Sequence, residues 1–240
     1  MHQSNIQCVL RAVTLAVVAV SAAPSNAENS DESLIEETIV RGSYLQSSEV
    51  SALRTPTPIL DVPQSLSIVT SEEILRRGFT SVSDIIEYLP GVSMSQGEGH
   101  RDAVVFRGVR STADFFIDGV RDDVQYYRPL YNLEQLEVLR GPNALLFGRG
   151  GTGGILNRVT KKANIGENFS QLSGYVDSFG AGGLQGDVNI GLNDTVAFRI
   201  NAMAEGLDNH RDHYDGEQVG INPTVRVLLS EATRLDVSYE

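Results

Sequence analysis

Leu139-Arg140-Gly141-Pro142-Asn143-Ala144-Leu145-Leu146-Phe147-Gly148-Arg149-Gly150-Gly151-Thr152-Gly153-Gly154-Ile155-Leu156-Asn157-Arg158-Val159-Thr160 is the stretch on which the reading of the chain turns. It runs as a strand, a Gly-Pro turn, one or two apolar helical turns, a glycine-dense loop and a second strand. Gly148, Gly150 and Gly153 match the G-x-G-x-x-G spacing of a dinucleotide site. That chemistry needs a strand before the glycines and a helix directly after them, so that helix N–H groups meet a pyrophosphate. Here the order is reversed, since Ile155 to Thr160 alternates and is rich in β-branched residues. The alternative is a compact loop in which missing side chains let backbone pass close to backbone.

Composition narrows the classes. The chain has 240 residues, a net charge of −12 and one cysteine, Cys8. Its pI of about 4.8 argues against a nucleic-acid partner. No apolar run is long enough for a transmembrane helix, which says nothing against membrane strands. Residues 1–27 read as a secretory signal peptide. Arg11 supplies the charge, Ala12 to Ala23 the apolar run, and Ser25-Asn26-Ala27 the small residues of a cleavage site. Cutting there leaves no cysteine, so stability must come from a core or from sheet closure.

Residues 28–58 read as a polar, acidic tether. Within it, Glu37-Thr38-Ile39-Val40 is a β-prone island. It is either a strand that can add to a partner's sheet edge or the first strand of the next domain. Residues 59–165 read as a mixed α+β domain. Ser65 to Thr70 is a strand, Thr70-Ser71-Glu72-Glu73 a capping box for a helix stopped at Gly78, and Ser83 to Leu89 a second helix stopped by Pro90-Gly91. Val104-Val105-Phe106 is a strand, Asp118-Gly119 a hairpin turn, and Leu136 to Leu139 the strand entering the opening stretch.

From residue 166 the pattern changes. Leu184, Val188, Ile190 and Leu192 alternate with Gln185, Asp187, Asn189 and Gly191. Val196, Phe198 and Ile200 alternate with Arg199 and Asn201, and Val219, Ile221, Val225 and Val227 with Gly220, Asn222, Thr224 and Arg226. Such strands of roughly ten residues, with tight turns at Asn193-Asp194 and Glu231-Ala232 and a longer link between, carry the mark of a transmembrane β-barrel. A soluble β-sandwich is the competing reading. The expected strands are too few for a barrel of about 8 or more, so the chain is expected to be an N-terminal piece of a longer protein.

Here the sequence resembles the TonB-dependent outer-membrane receptors, in the ferric-siderophore branch. Glu37-Thr38-Ile39-Val40 is similar to the TonB box. Asp61-Val62-Pro63-Gln64-Ser65, Leu89-Pro90-Gly91-Val92, Phe106-Arg107-Gly108, Ile117-Asp118-Gly119 and Leu139-Arg140-Gly141-Pro142 are similar to successive motifs of the plug. Gly148 to Asn157 is similar to its glycine-rich end.

The resemblance implies an α+β plug domain followed by antiparallel transmembrane β-barrel strands, and a monomeric receptor in the outer membrane whose plug and TonB box reach the periplasm. It implies active transport of a ferric siderophore, with TonB of the inner-membrane complex, the siderophore and outer-membrane lipid as partners. It implies no enzyme activity, no nucleic-acid partner, no resident metal and no cofactor, iron being cargo. The short stretch before the box leaves no room for a signalling domain. Other cargoes (cobalamin, another chelate, a sugar) and a passive porin or adhesin are the competing functions.

Two residue sets follow from the resemblance and from residue chemistry. Arg107 and Arg140 would face barrel carboxylates as an ionic lock; ordinary packing charges are the competing reading. His100, Arg101, Arg110, Tyr126, Tyr127 and Arg128, on three loops, would meet an anionic, aromatic chelate, with Tyr127 and Arg128 foremost. A solvated loop surface is the competing reading there. His210 and His213 are read as a chance pair.

Overall fold

The computed structural model describes residues 49–50, 57–58, 61–62, 64–95, 101–111, 114–141, 147–148, 153–208, 213 and 215–240. The expected signal peptide, the box at Glu37 to Val40, His100, His210 and most of the expected helical turns at 142–147 lie outside them. No helix among the described residues is long and apolar enough to cross a membrane.

A two-residue ribbon pairs β1 (Glu49–Val50) with β2 (Thr57–Pro58). Then β3 (Ser65–Thr70) runs into α1 (Ser71–Arg77). Thr70 caps this helix by accepting the Glu73 N–H at 3.4 Å, and Gly78 ends it in the left-handed conformation at φ 67°. The second helix, α2, spans Val82–Glu87, one residue earlier than expected at its start. The reason is a reciprocal capping box in which Ser81 and Asp84 satisfy each other's backbone N–H. Three short strands follow, β4 (Val92–Met94), β5 (Val104–Phe106) and β6 (Val109–Ser111), paired in that order.

The central sheet of this mixed domain has the order β3-β9-β10-β7-β8. Its remaining strands are β7 (Phe115–Ile117), β8 (Val120–Arg121), β9 (Leu133–Arg140) and β10 (Gly154–Thr160). Asp118 and Gly119 turn β7 into β8 with φ of 49° and 78°, the positive pair that a two-residue hairpin requires. β9 is covered on both faces. Leu136 and Val138 pack with Ile74, Ile85, Ile86, Phe106 and Phe115, while Leu139 packs with Phe116, Phe147 and Ile155. Between them the buried Glu137 accepts from Asn157 Nδ2 at 2.9 Å and Gln135 Nε2 at 2.7 Å, and Asn157 Oδ1 in turn accepts the Gly119 N–H. The turn and the two strands are thus tied through one buried polar chain.

The second sheet is a five-stranded antiparallel meander in chain order: β11 (Phe169–Val176), β12 (Gly182–Asn193), β13 (Val196–Asp208), β14 (Asp215–Ser230) and β15 (Thr233–Ser238). Its connections alternate between long and two-residue links. Its polarity is inverted relative to a soluble sheet. Asp187, Asn189, Arg199, Asn201, Asn222 and Thr224 are buried against the mixed domain, while Leu172, Val176, Ile190, Leu192, Val219, Ile221, Leu229 and Val237 are exposed.

Gly153 and Gly154 of the opening stretch find their reason in close approach, whereas Gly148 has open space around it and a left-handed φ of 74°. A Cβ on Gly154 would lie 2.5 Å from Phe106 Cδ1 and 2.6 Å from the Leu139 carbonyl oxygen. Gly154→Ala is expected to cost about 1–3 kcal/mol by overpacking, read as a lower denaturant midpoint together with faster amide exchange in β9 and β10.

Candidate functional site

The segment from Asp122 to Arg128, between β8 and β9, is folded around Arg128. The Arg128 side chain is 1% exposed. Its Nε donates to Asp122 Oδ2 at 3.0 Å, and its Nη2 to the carbonyls of Asp122 at 3.0 Å and Val124 at 2.7 Å. The guanidinium lies 3.7 Å from the centroid of the Phe115 ring, a cation–π contact shielded from water. Tyr126 points inward too. Its hydroxyl donates to Asp122 Oδ2 at 3.0 Å and accepts from Arg158 Nη2 at 2.6 Å. Burial pushes its pKa up.

Arg128 therefore lies in the interior of the loop, and Tyr126 is half-buried with its hydroxyl turned onto Asp122 and Arg158, so the structure places Arg128 away from the surface where it was expected to meet a ligand. A cation on a polar loop reads as solvated, and nothing in a single sequence pairs Arg128 with Asp122 and an aromatic ring. Tyr127 is half-buried, Arg101 is half-buried, and Arg110 is exposed and donates to Ser95. Asp123, Val124 and Gln125 form the exposed tip of the loop.

Asp102 pins this loop to the segment entering β5. Its Oδ2 accepts the Arg128 N–H at 2.8 Å, and its own N–H donates to the Tyr126 carbonyl at 3.2 Å. Burial raises the Asp102 carboxyl to about 6, against the pull of the Arg128 N–H and the Arg128 and Arg158 guanidiniums.

A second cluster joins the mixed domain to the meander. Asp187 receives Arg199 through Nε at 2.9 Å and Nη2 at 2.8 Å, and Lys161 Nζ at 3.0 Å. Arg199 Nη1 donates to the Lys162 carbonyl at 2.9 Å. Asn189 Nδ2 donates to the carbonyls of Asn164 and Glu167, and its Oδ1 accepts the Asn164 N–H. The wall also yields to the domain at Gly220, where a Cβ would lie 2.8 Å from the Tyr131 ring.

Arg107 and Arg140 converge beside Gly91, where a Cβ would meet Arg140 Cδ at 3.9 Å and Arg107 Cγ at 4.0 Å. Arg107 is exposed, with φ of 48°. Arg140 is buried. Its Nη2 donates to Ser67 Oγ at 2.9 Å, while its buried Nε has no hydrogen-bond partner among the described residues. Burial, then the neighbouring Arg107 charge, lowers its pKa. Among the described residues no carboxylate is ion-paired with either arginine.

Two measurements check this geometry. The raised carboxyl of Asp102 gives stability that is fully present below its ordinary value near 3.8 and is lost as pH rises through about 6. Between pH of about 5 and about 7.5, wild type should therefore lose roughly 1 kcal/mol relative to Asp102→Asn in denaturant titrations. Arg199→Met should cost about 3 kcal/mol by leaving buried charge half-paired, seen as faster amide exchange across residues 161–167.

Residues 58–155 match the family TonB-dependent Receptor Plug Domain. The catecholate siderophore receptor Fiu of Escherichia coli K12 is 30% identical over 92% of this chain and 30% of its own length. In its open-form crystal structure it superposes with a TM-score of 0.69 at 29% identity, covering 80% of this chain and 28% of that one. The ferrioxamine B receptor of Salmonella typhimurium LT2 is 30% identical over 86% of this chain and 30% of its own length. The siderophore receptor PiuA of Acinetobacter baumannii gives a TM-score of 0.69 at 26% identity, over 80% of this chain and 28% of that one. The chain thus spans under a third of the length of the curated relatives it matches. Residues 58–155 thus carry a plug domain of the TonB-dependent receptor family, and the chain as a whole, with its wall of antiparallel strands whose polar face is turned onto that domain, is similar to part of the siderophore receptors Fiu and PiuA.

Proposed function

We propose that this chain carries the plug and barrel strands of an outer-membrane receptor that imports a ferric siderophore with energy from TonB. The observation that carries the reading is the inverted polarity of the meander. Aspartate, asparagine and arginine side chains are buried on the plug, and apolar side chains are exposed on the other face. That arrangement favours a sheet with lipid on one side and a polar lumen on the other. The plug faces the periplasm on this reading, and Glu37 to Val40 is the segment handed to TonB by strand addition. The protein performs no chemistry of its own, and iron is its cargo rather than a cofactor.

Cargo contact is assigned to His100, Arg101, Arg110 and Tyr127, with Tyr126 and Arg128 holding the third loop from inside. Arg107 and Arg140 form the plug side of an ionic lock. Two guanidiniums brought together, one with a buried Nε lacking an acceptor among the described residues, call for carboxylates from the barrel.

The test uses the full-length receptor in iron-starved cells and an iron(III) tris-catecholate as probe. Deleting Glu37 to Val40 should abolish uptake while leaving probe binding intact. Unchanged uptake would defeat the transporter reading in favour of a passive pore. Replacing Arg101 and Arg110 together by alanine should weaken probe affinity by about tenfold or more, as expected for two charge-assisted contacts. Arg140→Met should change uptake or plug stability; no change in either would reject the lock.

A further inference from the structure

Arg158 stands apart from the roles assigned so far. It sits on β10, is 0% exposed, and is among the largest fully buried side chains of the described residues. Its Nη2 holds the loop of residues 122–128 from below, donating to Asp122 Oδ2 at 2.9 Å and Tyr126 Oη at 2.6 Å. Its Nε and Nη1 are buried without a hydrogen-bond partner among the described residues. Nη1 lies 3.8 Å from Glu240 Oε1, beyond hydrogen-bond range but within ion-pair range. Glu240 follows β15 on the wall, next to Tyr239, whose N–H donates to the Pro223 carbonyl. It also lines a cavity of about 280 Å³ with Tyr126, Tyr131 and Tyr239.

We propose that Arg158 is a positioning residue for the 122–128 loop, shared between Asp122 of that loop and Glu240 of the barrel wall. A buried guanidinium with two nitrogens lacking a hydrogen-bond partner among the described residues, and two carboxylates in reach, has two arrangements. In one, Asp122 and Tyr126 hold it and the loop is tied down, as in this structure. In the other, Glu240 draws it toward the wall and the grip on the loop loosens. The wall and the loop then bias one side chain between them, which is the physical requirement for coupling two sites. That the loop faces cargo rests on the functional reading above; the shared arginine does not.

The experiment compares amide exchange of residues 122–128 in the full-length receptor in lipid vesicles, without cargo, for wild type, Glu240→Gln, Arg158→Met and the double variant. Glu240→Gln keeps the size and shape of the side chain and removes only its charge, so it leaves the fold in place even if Arg158→Met does not. Removing the Glu240 charge releases Arg158 fully to Asp122, and exchange in the loop should slow about twofold to fivefold, the range of one partly screened ion pair. In the Arg158→Met background the same change should have no further effect. Unaltered loop exchange in Glu240→Gln would overturn the proposal, as would an equal effect in both backgrounds. Failure of uptake in the earlier test would leave these outcomes untouched.

Discussion

Asp187 is the contact on which the two parts of the molecule depend. It projects from the wall and receives a two-point clasp from Arg199 on the neighbouring strand and an ammonium from Lys161, just past the last plug strand. Alone, any of these charges on a buried face would be costly; together each is paired. The arrangement turns a sheet face lined with polar groups from a liability into a seat. Asn189 completes it by binding main-chain groups of Asn164 and Glu167, so the chain leaving the plug is held by side-chain chemistry as well as by covalent continuity.

The same logic explains why the plug resembles no ordinary soluble domain. Its apolar clusters are small, and much of its cohesion lies in buried polar chains such as Gly119–Asn157–Glu137–Gln135 and Asp102–Arg128–Asp122–Arg158. Such networks specify one arrangement when every member is satisfied and lose it abruptly when one member is removed. On the proposed transport reading the domain has to stay seated and yet rearrange, and contacts of this kind serve that better than a dense apolar core.

The meander was legible in the sequence because period-two alternation is dictated by strand geometry, and the faces came out as the residues at 184–192 and 196–200 require. The capped helices and the Asp118-Gly119 turn were legible from local backbone chemistry. Arg128 was not, because Asp122 and the Phe115 ring come to bury it only through the way the 122–128 loop folds back onto β7, which no local pattern announces. The Asp187–Arg199 pair left a fainter trace. Opposite charges lay on the polar faces of two strands joined by a two-residue turn, and the register sets them diagonally across the ladder. β4, β6 and β8 were missed because they are two or three residues long and, unlike Val104-Val105-Phe106, hold no run of apolar β-formers.

Gly220 has a consequence for how such a molecule can change over generations. The absence of a side chain there makes a dent in the wall that the Tyr131 ring occupies, with no room for even a methyl group. Plug and wall are therefore not freely interchangeable modules. A chain that inherits a bulky residue at 131 must inherit the dent at 220 with it, and a hybrid that takes its plug from one lineage and its wall from another assembles only if both positions travel together.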